Sequence, residues 1–144
     1  MYLRVVDYKS SAQKLDPARI NIGMQLQLLL YLEAALAGDR DALPAGAFYQ
    51  WMGDPLVDQD KQSMIESELA KRLCLKGVML SDVQVAQWMD ASQPPVSIEN
   101  VFNKDGSPKK GKLVCTLDEL YRLIERAHRT AVRLTEEIRG GGIN

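Results

Sequence analysis

The sequence lacks several features that would place a protein in a class at once. It has two cysteines, Cys74 and Cys115, which lie 41 positions apart and form no C-x-x-C motif, so neither a zinc ribbon nor a disulfide scaffold is indicated. We expect both to be buried small apolar groups. No apolar run reaches the roughly 18 residues that a membrane span needs, and neither a secretory leader nor a glycine-rich phosphate loop is present. A cytoplasmic protein that binds neither membrane nor ATP is therefore expected.

The composition is that of one ordinary folded domain. Of the 144 residues, 46% are hydrophobic and 26% are charged, and a chain of this size buries roughly two-thirds of its unfolded surface. Eighteen basic and nineteen acidic residues give a net charge of −1, so no overall positive charge indicates nucleic acid. We expect residues 1–144 to form a single domain.

The spacing of apolar residues predicts an α/β fold with a strand–helix–strand core over residues 1–57. Residues 2–9 alternate as a strand does, and the aromatic stretch 45–52 is typical of a second strand. Between them, residues 20–37 carry helix formers with apolar groups on nearly every face, which predicts one largely buried helix. Glycine at position 38 is expected to end it.

The remainder, residues 58–144, is expected to be mostly helical. The pattern predicts a helix over 60–73, a short helix capped by Asp82, and a final helix that begins with a capping box at Thr116 and continues to about residue 139.

A β-hairpin is the expected interruption of this helical part. The Asp105-Gly106 pair favours a tight turn between residues 96–102 and 112–116.

The first candidate site is the tripeptide Asp7-Tyr8-Lys9 at the end of the opening strand. Residues i and i+2 of a strand share a face, so the carboxylate and the ammonium should lie side by side. A carboxylate and a backbone carbonyl are hard ligands suited to magnesium, and a lysine can stabilise negative charge on a phosphate. On these three residues alone, a solvated ion pair at a sheet edge remains the simpler interpretation.

The second candidate is the pair Gln27 and Tyr31, which lie four residues apart on one helix face. An amide and a phenol within an apolar helix each need a hydrogen-bond partner. A phosphate or an active-site water could serve, and so could the neighbouring loops.

Taken together, a strand ending in D-Y-K-S and a helix reading G-M-Q-L-Q-L-L-L-Y-L over residues 23–32 resemble the motif of the RecB-like PD-(D/E)xK nuclease superfamily. Further segments, in order along nearly the whole chain, are similar to the C-terminal nuclease domain of AddB-type helicase–nuclease subunits: PAGAFY at 44–49, DPL at 54–56, LKGVML at 75–80 and PVSI at 95–98.

The resemblance implies a restriction-endonuclease-like core and magnesium-assisted hydrolysis of DNA phosphodiester bonds. Asp7 and the carbonyl of Tyr8 would bind the metal, and Lys9 would act on the attacking water or the scissile phosphate. Gln27 and Tyr31 would orient the active site or the DNA. The implied partners are DNA and an AddA-type helicase–nuclease subunit, and the implied process is double-strand-break repair and recombination.

The chain departs from the family pattern in two respects. The family has another acidic metal ligand on the strand before D-x-K, and AddB-type members hold a 4Fe–4S cluster with four cysteines. Neither the upstream acidic ligand nor the four cluster cysteines are present, and Cys74 and Cys115 match no cluster position. We therefore expect a fragment that is truncated at its N-terminal strands, binds magnesium weakly and cleaves no DNA alone, with the iron–sulfur cluster found only in the full-length protein.

Three functional interpretations follow, and the first is favoured. They are a DNA exonuclease domain, a non-catalytic DNA-binding or subunit-docking scaffold of the same fold, and a stand-alone CRISPR-associated RecB-like nuclease, which the AddB-like segments after residue 44 disfavour.

Two basic clusters are either DNA-tracking surfaces or solvated faces, and the solvated face is favoured. They are Lys104, Lys109, Lys110 and Lys112 near the turn, and Arg122, Arg126, Arg129 and Arg133 on the last helix.

Overall fold

A computed structural model describes residues 1–11, 13–52 and 71–141. The predicted α/β class is confirmed. Within the described ranges, no helix is both long enough and apolar enough to cross a bilayer. The elements in chain order are β1 (Tyr2–Lys9), α1 (Pro17–Asn21), α2 (Leu26–Ala37), β2 (Leu43–Trp51), β3 (Lys76–Leu80), α3 (Val83–Met89), β4 (Val114–Cys115) and α4 (Leu117–Arg139).

The four strands form one mixed sheet in the order β1-β2-β3-β4. β1 runs parallel to β2, β2 antiparallel to β3, and β3 parallel to β4. The carboxyl ends of β1 and β2 therefore lie beside the start of β3. The register pairs Asp7 with Tyr49 and Tyr49 with Lys76, which places these three residues in one row across three strands.

The core has one part on each face of the sheet. The larger part lies where α2 and α4 pack over one face and includes Leu28, Leu32, Val78 and Leu120. The smaller part covers the opposite face and includes Phe48, Met79 and Ile98.

The single helix predicted over residues 20–37 is wrong, because the chain forms two helices there. Gly23 and Gln25 take left-handed backbone conformations, with φ of 83° and 59°, which interrupt the helical hydrogen-bond ladder. The Gln25 side chain fixes this break: its Oε1 accepts from the Asp16 N–H at 2.9 Å and its Nε2 donates to the Lys14 carbonyl at 2.8 Å. A side chain that ties down the preceding loop thus offsets the lost helical bonds.

The expected burial of this helix also needs correction. α2 buries one face, carried by Leu28, Leu29 and Leu32, whereas its other side is exposed at Ala34 and Ala37. The end of α2 at Gly38 is as predicted.

The local signals in the second half are confirmed. The Asp82 carboxylate accepts from the N–H groups of Gln84 and Val85, and Thr116 forms a complete capping box with Glu119. Cys74 and Cys115 are both buried and free. The predicted helix over 60–73 lies outside the described residues except for residues 71–73, which are helical.

The predicted hairpin is wrong in its pairing. Residues 103–108 do form the turn, and Phe102 bridges Pro108 in antiparallel fashion. The second expected strand joins the edge of β3 instead, where the Leu113 carbonyl accepts from Met79 N–H and the Cys115 carbonyl from Ser81 N–H. The β3 edge offers a sheet with a packed face, which an isolated two-stranded hairpin lacks.

The strand β3 was not predicted, and Gly77 within it explains why. Glycine is depleted in strands, but a Cβ at this position would lie 2.0 Å from the Ala47 carbonyl oxygen and 2.9 Å from the Phe48 Cα. The backbones of β2 and β3 therefore approach too closely for any side chain.

We predict that Gly77→Ala destabilises the fold by about 1–3 kcal/mol, as overpacking does, because backbone atoms must move to admit the methyl group. The free energy of unfolding in urea would measure this. Gly38→Ala is the matched control: its φ is −75° and the nearest atom to a new Cβ lies at 3.4 Å, so the change should be neutral or slightly stabilising. Equal effects of the two substitutions would contradict the close approach of β2 and β3.

Candidate active site

Asp7 and Lys9 lie together at the carboxyl end of β1, as their spacing predicts. Lys9 Nζ is 3.1 Å from Asp7 Oδ2, and the two side chains are 34% and 19% exposed, respectively. The pair is therefore partly buried and lies at the end of the sheet where β1 and β2 end.

One oxygen of this pair is poorly satisfied. Asp7 Oδ2 is closed off from solvent and has no hydrogen-bond partner among the described residues, because the Lys9 ammonium lies within ion-pair distance without hydrogen-bond geometry. Leaving a buried acceptor without a donor is costly. This oxygen therefore suits a cation that approaches from another direction.

The backbone of Tyr8 offers a second oxygen. The Lys9 carbonyl accepts from the N–H of Met52, the residue after β2, at 2.8 Å, and hydrogen-bonding direction alternates along a strand. The Tyr8 carbonyl consequently faces the outer edge of β1, which pairs with no other strand in the described part of the chain.

Asp7 and Tyr8 together fit magnesium in donor chemistry. A carboxylate oxygen and a carbonyl are hard ligands, and Mg²⁺ keeps several waters when a protein supplies only one or two groups. Residues 1–11, 13–52 and 71–141 contain no cluster of three or more His, Cys, Asp or Glu side chains, so the site in this part of the chain is an incomplete coordination shell.

Tyr49 is a neighbour that the sequence did not reveal. It is buried and lies beside Asp7 in the β1–β2 register. Burial, and to a lesser extent the negative charge of Asp7, raise the pKa of the Tyr49 phenol. The aromatic stretch predicted a strand, but only the register reveals which aromatic side chain adjoins the carboxylate.

Gln27 and Tyr31 are brought together, as predicted from their four-residue spacing. Gln27 Nε2 donates to Tyr31 Oη at 2.5 Å. Their environment differs from the expected apolar one, because Gln27 is exposed and Tyr31 is 46% exposed on the solvent side of α2. α2 packs against β1, but within the described ranges no hydrogen bond joins this pair to Asp7 or Lys9, so their shared role with that pair stays a prediction.

We predict that Asp7→Asn lowers the pKa of the Tyr49 phenol while leaving it above the ordinary tyrosine value. Removing a nearby negative charge favours the phenolate, whereas the larger effect, burial, persists. Titration of the Tyr49 ring by ¹³C NMR would show the shift. Asp41→Asn, at the opposite end of β2, should leave the pKa unchanged; an equal response to both substitutions would contradict the proximity of Asp7 and Tyr49.

Comparison with known proteins identifies the family of the chain. Residues 1–142 match the PD-(D/E)XK nuclease superfamily. Proteins whose names identify them as one subunit of an ATP-dependent helicase/deoxyribonuclease are similar to the chain over 99% of its length: that of Clostridium tetani is 35% identical, that of Bacillus pumilus 32% and that of Moorella thermoacetica 36%.

The chain spans 13% of the length of each of these relatives. The resemblance found in the D-Y-K-S strand and the following helix is thereby confirmed, as is the similarity to AddB-type subunits. The chain belongs to the PD-(D/E)XK nuclease superfamily.

Proposed function

We propose that this chain carries the site at which a helicase–nuclease subunit hydrolyses DNA phosphodiester bonds in a metal-dependent exonuclease reaction. The observation that supports this most directly is the Asp7 Oδ2 atom, which is buried, lacks a hydrogen-bond partner in the described residues and lies 3.1 Å from Lys9 Nζ. Membership of a nuclease superfamily supports the reaction class.

In this proposal, the Asp7 carboxylate and the Tyr8 carbonyl hold magnesium. When bound, the ion supplies Lewis-acid polarisation of the phosphate and a more acidic water. Lys9 donates to a phosphate oxygen as negative charge develops on it, which favours the transition state over the ground state. Gln27 and Tyr31 orient the DNA or the attacking water from α2.

Tyr49 has a supporting part. Tyr49 is neutral at physiological pH, as an ordinary tyrosine is, and burial and the charge of Asp7 raise the pKa of its phenol further. A neutral wall beside Asp7 adds no second negative charge that would repel a phosphate.

For the full-length protein we also propose partners, a cellular process and a compartment. The natural partners are DNA and an AddA-type helicase–nuclease subunit, the process is double-strand-break repair and recombination, and the compartment is the cytoplasm. A 4Fe–4S cluster belongs to the full-length protein and takes no ligand from Cys74 or Cys115, since neither matches a cysteine position of the AddB-type pattern.

By itself the chain is proposed to be a poor nuclease. The described residues bring one carboxylate to the site, and magnesium is held weakly when few protein oxygens replace its water. A second acidic ligand would have to come from outside these residues.

A non-catalytic DNA-binding or subunit-docking scaffold is the second candidate. The 3.1 Å ion pair between Asp7 and Lys9 favours it to the extent that each charge already has a partner when no metal is bound.

We predict that Asp7→Asn removes metal binding from the chain. Titration with Mn²⁺, followed by paramagnetic broadening of amide signals near residues 7–9, should show weak binding to the unchanged chain and none to the variant. The exposed Asp41→Asn is the matched control and should bind as the unchanged chain does.

The same substitution in the full-length subunit should lower DNA cleavage at least about a hundredfold, because charge stabilisation at the phosphate is lost. Unchanged cleavage with Asp7→Asn would overturn the nuclease proposal in favour of the scaffold.

We predict that Tyr31→Phe lowers cleavage by the full-length subunit about tenfold, since positioning of the DNA is lost, while changing the free energy of unfolding by no more than about 0.5 kcal/mol at this exposed position. Tyr121→Phe, an equally exposed tyrosine on α4, is the control and should leave cleavage unchanged. A stability loss without a rate loss would assign Tyr31 a structural role only.

A further inference from the structure

A groove lies at the end of the sheet where β3 starts, and lysines line it. Its volume is about 670 Å³, and Lys71, Lys76, Lys109 and Lys112 all contribute to its walls. Among its lining residues in the described part of the chain, Glu99 is the one acidic side chain. The groove is therefore strongly basic, although the chain as a whole carries a net charge of −1.

Three of the four lysines have no acidic partner in the described ranges. Lys112 Nζ pairs with Glu99 Oε1 at 2.5 Å, which neutralises the one acid, whereas Lys71, Lys76 and Lys109 form no ion pair with the described residues. Like charges gathered in this way repel one another and favour an anionic ligand.

One lysine of the groove lies two strands away from the candidate active site. Lys76 lies in the same row as Tyr49 and Asp7, on the same face of the sheet and two strands away from Asp7. Adjacent strands are about 4.8 Å apart, so the backbones at positions 76 and 7 are separated by roughly 10 Å. A strand that keeps the stacked helical spacing of about 3.4 Å per nucleotide covers this distance in about three nucleotides.

One wall of the groove is preformed by Asp90. Its Oδ2 accepts from the N–H groups of Val96 and Ser97, both at 2.7 Å, and its Oδ1 accepts from the Ser92 N–H at 3.0 Å. These backbone bonds hold the pKa of Asp90 well below its usual range, so the carboxylate stays ionised in mildly acidic solution as well as at neutral pH.

The same wall is fastened to the sheet. The Leu75 N–H donates to the Ser97 carbonyl at 2.8 Å, and the Glu99 N–H donates to the Leu75 carbonyl at 3.0 Å. A ligand entering the groove therefore meets an ordered surface and does not have to order the loop first.

We propose that this lysine groove binds the sugar–phosphate backbone of a single nucleic-acid strand and guides it to Asp7. This inference rests on the proposed nuclease function and adds the surface that holds its substrate. Three ammonium groups without an acidic partner among the described residues suit successive phosphates, and the Gln93 and Asn100 amides on the walls add neutral donors. The alignment with Asp7 favours a nucleic acid over an acidic protein segment, which has no reason to extend toward a nuclease site.

The test compares two double variants that each remove two positive charges. Lys76→Gln/Lys109→Gln alters the groove, and Arg122→Gln/Arg126→Gln alters the exposed arginine face of α4. Binding of a fluorescent single-stranded oligonucleotide to the 144-residue chain is measured by anisotropy, in EDTA and over a range of salt concentrations. Far-UV circular dichroism and thermal unfolding show that each variant is folded. If the groove variant is not folded, Lys109→Gln alone replaces it, with Arg122→Gln alone as its control.

The groove variant should bind about tenfold more weakly, and the slope of log K against log salt should fall by about 1.4, since each lost phosphate contact removes about 0.7. The arginine variant should change affinity less than threefold. Equal losses in both variants, or a glutamate-rich peptide that competes as strongly as DNA of equal charge, would overturn the proposal.

Asp7→Asn separates this inference from the proposed function. In EDTA this variant should bind the oligonucleotide at least as tightly as the unchanged chain. If the lysine variant loses binding while Asp7→Asn leaves cleavage by the full-length subunit intact, the groove stands and the nuclease assignment fails. If Asp7→Asn abolishes cleavage while the lysine variant binds normally, the groove is rejected and the nuclease assignment stands.

Discussion

A carboxylate oxygen that is shut off from water needs a cation, and Asp7 Oδ2 meets that need only partly through Lys9. The features around it follow from this requirement. Its strand lies at the border of the described sheet, so the Tyr8 carbonyl is free to contribute. The neighbouring strand supplies Tyr49, a buried phenol whose pKa is raised by burial and by the charge of Asp7. The site therefore holds the negative charge of Asp7, which the single ammonium group of Lys9 balances only in part.

The alignment of strands is what turns separate residues into one surface. Parallel pairing of β1 with β2 places Tyr49 beside Asp7, and antiparallel pairing of β2 with β3 adds Lys76. That second pairing depends on Gly77, because any Cβ there would meet the Ala47 carbonyl. A backbone contact therefore fixes how far a positive charge stands from the carboxylate.

Local signals in the sequence predicted local structure well. The i, i+2 spacing of Asp7 and Lys9, the i, i+4 spacing of Gln27 and Tyr31, and the capping box at Thr116 all correspond to observed contacts. These interactions join residues within four positions, so the element type alone sets their geometry. The family resemblance carried the rest of the functional assignment.

Long-range contacts explain what could not be predicted. The break before α2 depends on Gln25 reaching back to Lys14, and the position of β4 depends on an open edge of β3 rather than on its own sequence. The position of Lys76 relative to Asp7 depends on the register of three strands, which could not be predicted from the residue pattern. The distance between the Gln27–Tyr31 pair and Asp7 depends in the same way on how α2 lies against the sheet.

The loop that Asp90 holds is closed mainly by hydrogen bonds between its own residues. Its clamp joins residues no more than seven positions apart, and two backbone bonds attach it to the start of β3. A loop that is closed in this way can change in sequence and length without disturbing the Asp7 carboxylate or the sheet. Substitutions in this loop can therefore alter the width of the groove while the strands that carry Asp7 and Lys76 keep their register.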